Sequence, residues 1–311
     1  MKKYVLKRLV ISVITVFVIL FVLFMLLSLM PGSPFNNEEK LSPEQLRQLK
    51  AYYGLDKPVL QRFFIYLGNM FHGDFGVSYN IQVNMPIRDM VFSRFLVTLS
   101  IGLQAAVFGT LIGLVLGIIA ALYRKTFWDN LTTVVSVLGV SLPSFVFALL
   151  LSYFFGYKYK FFPLLYNPAA PVQSTVLPTI ALSMFTIASV ARYTRTEMVS
   201  VMSSDYMMLA ESKGLTRVRL IFSHVLRNTM ISVITVLAPL LVNLMTGSLV
   251  VEKIFSIPGL GSLYITAIQS NDYNVVLAIS FIYSVMFIVT MLLVDILYGV
   301  IDPRIRLAKE D

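Results

Sequence analysis

Few residues in this sequence could carry out acid–base, nucleophilic or metal chemistry. The 311 residues include two histidines, His72 and His224, and no cysteine. The patterns HExxH, GxSxG and CxxC and the phosphate-binding P-loop are all absent. We therefore predict no catalytic residue and no metal site, which argues against a membrane protease or a metal enzyme. A nucleotide, if one is used, must bind another chain.

The most suggestive group of polar residues is the stretch Ser204–Asn228, which is rich in basic residues and lies between two long apolar runs. We expect two short helices there. Ser204 or Asp205 can cap the first, because a side-chain oxygen accepts from the free N–H groups of a first turn. Gly214 can end that helix in a left-handed conformation, and Thr216 can cap the second. This polar surface is expected to contact a partner; the alternative is an amphipathic helix that lies on lipid.

The composition is that of a membrane protein. Hydrophobic residues make up 57% of the chain and charged residues only 13%, and the mean hydropathy is +0.80. A net charge of +9 could point to nucleic acid. In a membrane protein, however, the usual source is Lys and Arg retained on the cytoplasmic side. We therefore predict an all-α, polytopic membrane protein that binds lipid and no nucleic acid.

Six apolar runs are long enough to cross a bilayer. Residues 109–117 carry a glycine at every fourth position, which allows close helix packing. Pro143 is expected to break the third run and to leave a backbone carbonyl that must face protein or water. The first run is too long for a signal peptide and indicates an uncleaved anchor. The predicted spans are Leu9–Met30, Val97–Tyr123, Leu131–Phe155, Thr175–Ala191, Ile231–Val251 and Val275–Val300.

One long polar segment interrupts this pattern. Ser42 followed by Pro43 predicts a helix start, and Gln61–Phe71 predicts a second, amphipathic helix. We expect a small helical extracytoplasmic insertion. The predicted division is 1–30 for the N-terminal cytoplasmic segment and first span, 31–95 for the insertion, 96–300 for the transmembrane core with a loop at about 192–230, and 301–311 for a cytoplasmic tail.

The basic residues give the orientation. Fifteen of the 25 Lys and Arg residues fall in segments that this layout places inside, and seven more lie in the long insertion. Long segments cross the membrane regardless of charge, and short loops do not. We expect both termini in the cytoplasm and a multi-pass protein of the bacterial plasma (inner) membrane.

Several polar residues near or within the spans are candidates for a gate or a path. Glu252, Pro258, Gly259 and Gly261 belong either to a plain turn, with Glu252 in solvent, or to a re-entrant outer gate segment. Asp295 lies inside the sixth span, where a carboxylate is costly. It either pairs with a residue near the inner surface, such as Arg192, or faces a path. Three residues on the fifth run could line a path or bond to neighbouring helices: Asn243, Thr246 and Ser248.

Short motifs recur along nearly the whole chain: Y-V-L-K-R-L-V at the start, Y-G-L-D-K-P-V and G-D-F-G-V-S in the insertion, A-R-Y-T-R-T-E-M from Ala191, V-E-K-I-F-S-I-P-G-L-G-S-L from Val251 and D-P-R-I-R from Asp302. Together they resemble the B-type permease subunits of oligopeptide, dipeptide and nickel ABC importers. The run A-E-S-K-G-L from Ala210 is similar to the coupling loop of that family. Glu211 and Ser212 stand where the peptide branch often has Arg-Ala, and Leu96 stands where Pro is usual.

The resemblance implies a type I ABC importer permease fold. It also implies a second permease, two cytosolic ATPase subunits that hold the ATP and Mg²⁺, and an extracytoplasmic substrate-binding protein. This chain itself would bind no cofactor. The resemblance places the following residues at the contact with an ATPase: Asp205, Tyr206, Ala210, Glu211, Ser212, Lys213, Gly214, Leu215, His224, Arg227 and Asn228.

The expected function is one half of a translocation path for peptides that works by alternating access. Peptides are expected because a large outer insertion and a roomy path suit extended substrates. A nickel or other small-solute importer is the alternative within the family. A stand-alone channel or scaffolding membrane protein is the alternative of another class, and it would purify without stoichiometric ATPases.

Overall fold

The computed structural model describes residues 2–29, 35, 42–246 and 248–301. Within these residues every regular element is a helix, apart from a β-bridge between Val77 and Pro86. In the described part of the chain, five helices are long and apolar enough to span a membrane, and a sixth span results if a bent helix pair is counted as one. The expectation of an all-α, polytopic membrane protein is confirmed.

The helices in chain order are α1 (Lys2–Leu29), α2 (Pro43–Tyr52), α3 (Val59–Phe71), α4 (Ile87–Leu122), α5 (Phe127–Ser141), α6 (Ser144–Leu151), α7 (Pro171–Met202), α8 (Asp205–Ser212), α9 (Arg217–Leu220), α10 (Leu226–Thr246), α11 (Ser248–Ile254), α12 (Leu260–Gln269) and α13 (Tyr273–Ile301). Two π-helical turns, Ser152–Lys158 and Ile221–Val225, follow α6 and α9.

The chain divides into two compact units. The first combines residues 1–98 with 258–288, and the second combines residues 99–257 with 289–311. In the first unit, Phe63 and Met70 of α3 pack with Leu20 and Phe24 of α1, while Ile87 of α4 packs with α12 and α13. The predicted cap of α2 is confirmed, because the Ser42 hydroxyl accepts from the N–H of Gln45 and the Gln45 side chain accepts from the N–H of Ser42.

In the second unit α7 is the central helix and the most buried of the candidate spans. It packs against α5, α6 and α10. The glycines of α4 lie directly against α7. A Cβ added to Gly113 would fall 2.8 Å from Val190 Cβ, and one added to Gly117 would fall 2.6 Å from Thr194 Cβ. The repeat of small residues therefore lets these two helices approach more closely than side chains would permit.

The break predicted in the third span is a sharp one. Helix α5 and the segment Ser144–Lys158 meet at 107° around Leu142 and Pro143. The break borders a cavity of about 340 Å³, lined in part by Ser141, Pro143, Thr186 and Leu240. The irregular backbone thus faces a cavity within the second unit, as expected for peptide groups that are left unpaired.

Two helices extend beyond the runs predicted as spans. The fourth run was expected to end at Ala191, but α7 continues to Met202. No Gly or Pro lies between these two residues, and Arg195 is paired with a buried carboxylate. The second run was expected to begin at Val97, but α4 begins ten residues earlier, directly after Pro86.

Candidate coupling segment

Helix α8 begins at Asp205, after a short connection from α7. Ser204 occupies the N-cap position with an extended backbone, but its hydroxyl donates to the carbonyl of Val201 at 2.6 Å. The prediction of a side-chain cap by Ser204 is therefore wrong, because this hydroxyl bonds back to the end of α7. Asp205 is exposed in the first turn, where a negative charge complements the helix dipole.

Gly214 turns the chain after α8, as predicted. Its φ is +77°, and its N–H donates to the carbonyl of Glu211 at 2.9 Å. A Cβ at this position would meet no atom within 4 Å. The requirement for glycine is thus one of backbone conformation and not of space.

The second short helix does not end where the sequence suggested. Helix α9 runs through the π turn Ile221–Val225 directly into α10. It is therefore the beginning of the long helix that contains the fifth predicted span. No glycine or proline lies between Gly214 and Pro239, so nothing stops the helix. The N–H of Leu226 donates to the carbonyl of Ile221, five residues earlier, which defines the π turn.

Apolar side chains anchor this segment to the helices behind it. Met207 of α8, with Leu220 and Val225, packs against Ala121 of α4 and Met198 of α7. Of the predicted coupling residues, Ala210 and Leu215 contribute to the same cluster and are half-buried. Tyr206 and Asn228 meet, because the side-chain amide of Asn228 donates to the Tyr206 hydroxyl at 2.9 Å.

The opposite side of the segment is exposed and partly apolar. We call it the coupling surface and define it by its exposed apolar residues, Tyr206, Met208, Leu209, Val218 and Phe222. The other predicted coupling residues border it: Asp205, Glu211, Ser212, Lys213, Gly214, Arg227 and Asn228 are exposed, and His224 is half-buried. Exposed apolar side chains rimmed by charged ones are typical of a surface that binds another protein.

The candidate gate residues differ from one another in burial. Glu252 lies in α11 and is fully buried, so the expectation of a solvated loop residue is wrong. In the first unit Pro258 is exposed, while Gly259 and Gly261 are buried at the start of α12. The N–H of Leu260 donates to the Thr98 hydroxyl at 2.8 Å, which holds this start against α4.

The side chains of the remaining path candidates, Asn243, Thr246, Ser248 and Asp295, lie outside the described residues. Arg192, the partner suggested for Asp295, is exposed, and its guanidinium lies 5.7 Å from the centroid of the Tyr193 ring.

An ion pair with a buried carboxylate, near the C-terminal end of α7, was not predicted. Asp129, in the first turn of α5, receives two hydrogen bonds from the Arg195 guanidinium, one of them 2.9 Å long. The N–H of Lys125 donates to the same carboxylate at 2.9 Å. Arg195 appeared in the sequence only as a basic residue beyond a span. A bidentate pair of this kind fixes α5 against α7.

A second buried carboxylate was also not predicted. Asp272, between α12 and α13, accepts hydrogen bonds from the Ser78 hydroxyl and from the N–H groups of Tyr79, Asn80 and Ile81, the last three at 3.0 to 3.2 Å. We call residues 78–81 with Asp272 the carboxylate latch. No local pattern indicates it, because the partners lie about 190 positions apart.

Comparison with known proteins agrees with this fold. A family model described as "Binding-protein-dependent transport system inner membrane component" matches residues 113–307, and its N-terminal companion model matches residues 1–102. Two solved structures share the fold: an inward-facing methionine ABC transporter (TM-score 0.57, 14% identity, 68% of this chain and 96% of that one) and an amino acid ABC transporter (TM-score 0.53, 17% identity, 68% and 94%).

Curated relatives match over almost their whole length. The dipeptide transport system permease protein DppB of Lactococcus lactis is 41% identical over 99% of this chain and 100% of its own, and the protein of the same name from Bacillus subtilis is 40% identical over 100% of both. The oligopeptide transport system permease protein OppB of Salmonella typhimurium is 36% identical over 98% of this chain and 100% of its own. The resemblance indicated by the motifs is confirmed, and the chain belongs to the family of binding-protein-dependent transport system inner membrane components.

Proposed function

We propose that this chain is one of two membrane subunits of an ATP-driven importer of peptides. The observation that carries the proposal is the full-length similarity to permeases of dipeptide and oligopeptide transport systems. The two alternatives, a stand-alone channel and a scaffolding protein, have no comparable support. A nickel importer would be built on the same fold, but the most similar curated relatives reported above are named for peptides.

In this proposal the partners are a second homologous permease, two cytosolic ATPases that bind ATP and Mg²⁺, and an extracytoplasmic substrate-binding protein. Both termini are cytoplasmic, and the segment at residues 31–95 lies outside. The coupling surface docks on an ATPase. Its residues are suited to that role because they present exposed apolar side chains next to charged ones.

The packing behind the coupling surface explains how a movement of the ATPase would reach the spans. Met207 is buried together with Ala121 of α4 and Met198 of α7. Interiors packed in this way transmit displacement because they are close to incompressible. A push on α8 therefore moves the inner ends of α4 and α7 as one body. The cavity at the break around Pro143 lies between helices of the same unit. We propose that the residues lining it form part of the wall of the translocation path.

The test is uptake into vesicles that contain the complete transporter. ATP in the compartment that holds the ATPases should drive accumulation of labelled dipeptides and longer peptides only when the binding protein is present on the other side. Nickel uptake in place of peptide uptake would establish the small-solute alternative. Flux of either solute through this chain alone, without ATPases, would contradict the importer proposal.

A further inference from the structure

Helix α3 belongs to the segment expected outside the membrane, yet it packs on the side of a transmembrane helix. The ring of Phe63 contacts the rings of Phe17, Phe21 and Phe24 in α1, with centroid distances of 5.6, 5.2 and 5.4 Å. Phe63 is fully buried in this contact. All of these residues belong to the first unit.

The contact lies well below the outer end of α1. The apolar window Arg8–Leu29 contains 22 residues. At 1.5 Å per residue it is about 33 Å long, close to the roughly 30 Å of a hydrocarbon core. Phe24 precedes the helix end at Leu29 by five residues and Phe17 precedes it by twelve. Phe63 is therefore about 8 to 18 Å below that end.

The surface of α3 that faces away from α1 is also apolar along one side. Leu60, Phe64 and Phe71 are 55%, 59% and 77% exposed. Their spacing of four and seven places them on one stripe of the helix. Gln61 and Asn69, which are exposed as well, lie on a different stripe, which also holds Ile65 at 41% exposed. The helix thus has an apolar arc much wider than its contact with α1 requires.

The single charge of α3 is compatible with a position at the membrane boundary. Arg62 is half-buried, and its guanidinium lies 5.7 Å from the centroid of the Phe24 ring. A long side chain of this type lays its methylene groups along apolar surface and directs its charge to the headgroup region. Helix α1 has exposed apolar side chains of its own in the same stretch, including Phe17 and Val22.

We propose that α3 is embedded in the outer leaflet of the membrane and that Leu60, Phe64 and Phe71 contact lipid acyl chains. The residues on the other exposed stripe, Gln61 and Asn69, then face the headgroups and water. The segment between the first two spans is consequently a membrane-anchored structure and not a cap held entirely in solution. The proposal goes beyond the transport function, and its test does not depend on transport.

The absence of cysteine makes a direct test straightforward. Single substitutions Leu60→Cys, Phe64→Cys, Gln61→Cys and Asn69→Cys are spin-labelled in the complete transporter in lipid vesicles. The transporter with the unsubstituted chain, treated in the same way, gives the background from the partner subunits. Collision rates with oxygen, which concentrates in the bilayer, and with a water-soluble nickel chelate then report the surroundings of each label.

Labels at positions 60 and 64 should collide several-fold more often with oxygen than with the nickel chelate, and labels at 61 and 69 should show the reverse preference. Equal access of the nickel chelate to all four positions would overturn the proposal, because α3 would then lie in water. Exclusion of both reagents from positions 60 and 64 would also overturn it and would indicate a protein partner on that stripe. The labelled Phe64→Cys transporter should elute from a size-exclusion column like the unsubstituted one, which shows that the labelled protein is folded and assembled.

Discussion

Asp272 is a buried carboxylate that satisfies three consecutive backbone N–H groups and one hydroxyl. Asp272→Asn replaces one acceptor oxygen with a donor, which must then face N–H groups. Leaving buried donors unsatisfied costs on the order of 1–3 kcal/mol. We expect a lower unfolding temperature of the purified transporter.

Asp56→Asn is the control, because it removes the same charge at an exposed position of the same unit. If both variants unfold at the temperature of the unsubstituted protein, the carboxylate latch contributes nothing to stability.

A substitution at Gly214 tests the coupling of ATP hydrolysis to transport without disturbing the packing of side chains. Gly214→Val should strain the backbone by about 1–3 kcal/mol at a positive φ, without a clash. We expect normal insertion, with ATP hydrolysis no longer coupled to peptide arrival or with the ATPases lost. Gly214→Asn should be milder, because Asn tolerates the left-handed region. The measurements are uptake and ATPase activity in vesicles.

Gly54→Val is the matched control for Gly214→Val. Gly54 has a φ of +68° and also has no neighbour within 4 Å of an added Cβ, but it lies in the insertion. Gly54→Val should impose a similar strain away from the coupling surface, so ATP hydrolysis should remain coupled to peptide arrival. Equal losses of coupling in the two variants would mean that strain anywhere in the chain has this effect.

At the scale of helices, the α4–α7 contact depends on the absence of side chains. Gly117→Ala would place a methyl group 2.7 Å from the carbonyl oxygen of Ala191. Because backbone atoms cannot move aside easily, we expect a destabilisation of about 1–3 kcal/mol and a lower yield of assembled protein. Gly102→Ala, in the same helix, meets no atom within 4 Å and should behave like the unsubstituted chain. Size-exclusion profiles and thermal unfolding compare the two variants.

The topology predicted for the whole molecule rests on its charges and is open to a direct check. Reporter fusions after Lys125 and Lys213 should give a cytoplasmic signal, and fusions after Asp56 and Asn271 an extracytoplasmic one. A cytoplasmic signal after Asp56 would reverse the first span and, with it, the leaflet assigned to α3.

The spans could be predicted from the sequence because hydropathy is a local property, read over about twenty residues. Gly214 could also be predicted, since a left-handed helix end is set by one residue type. The pair of Asp129 with Arg195 and the carboxylate latch could not, because each joins segments that are distant in the sequence. The continuation of α7 beyond the predicted span could not be predicted for the same reason, because the partner of Arg195 is not evident in the sequence.

The carboxylate latch also sets an order of events during synthesis. Ser78 and Asp272 are 194 positions apart, so at about 5–20 residues per second the ribosome needs roughly 10 to 40 s to supply the acceptor. The first unit cannot be completed until residues 99–257, the larger part of the second unit, have been made. A chain stopped after Ile257 should therefore be cut by protease at residues 78–81, whereas the full chain should resist. Residues 1–98, about a third of the protein, therefore remain without their partners until residues 258–288 are made, and protease sensitivity at residues 78–81 distinguishes an interrupted chain from a complete one.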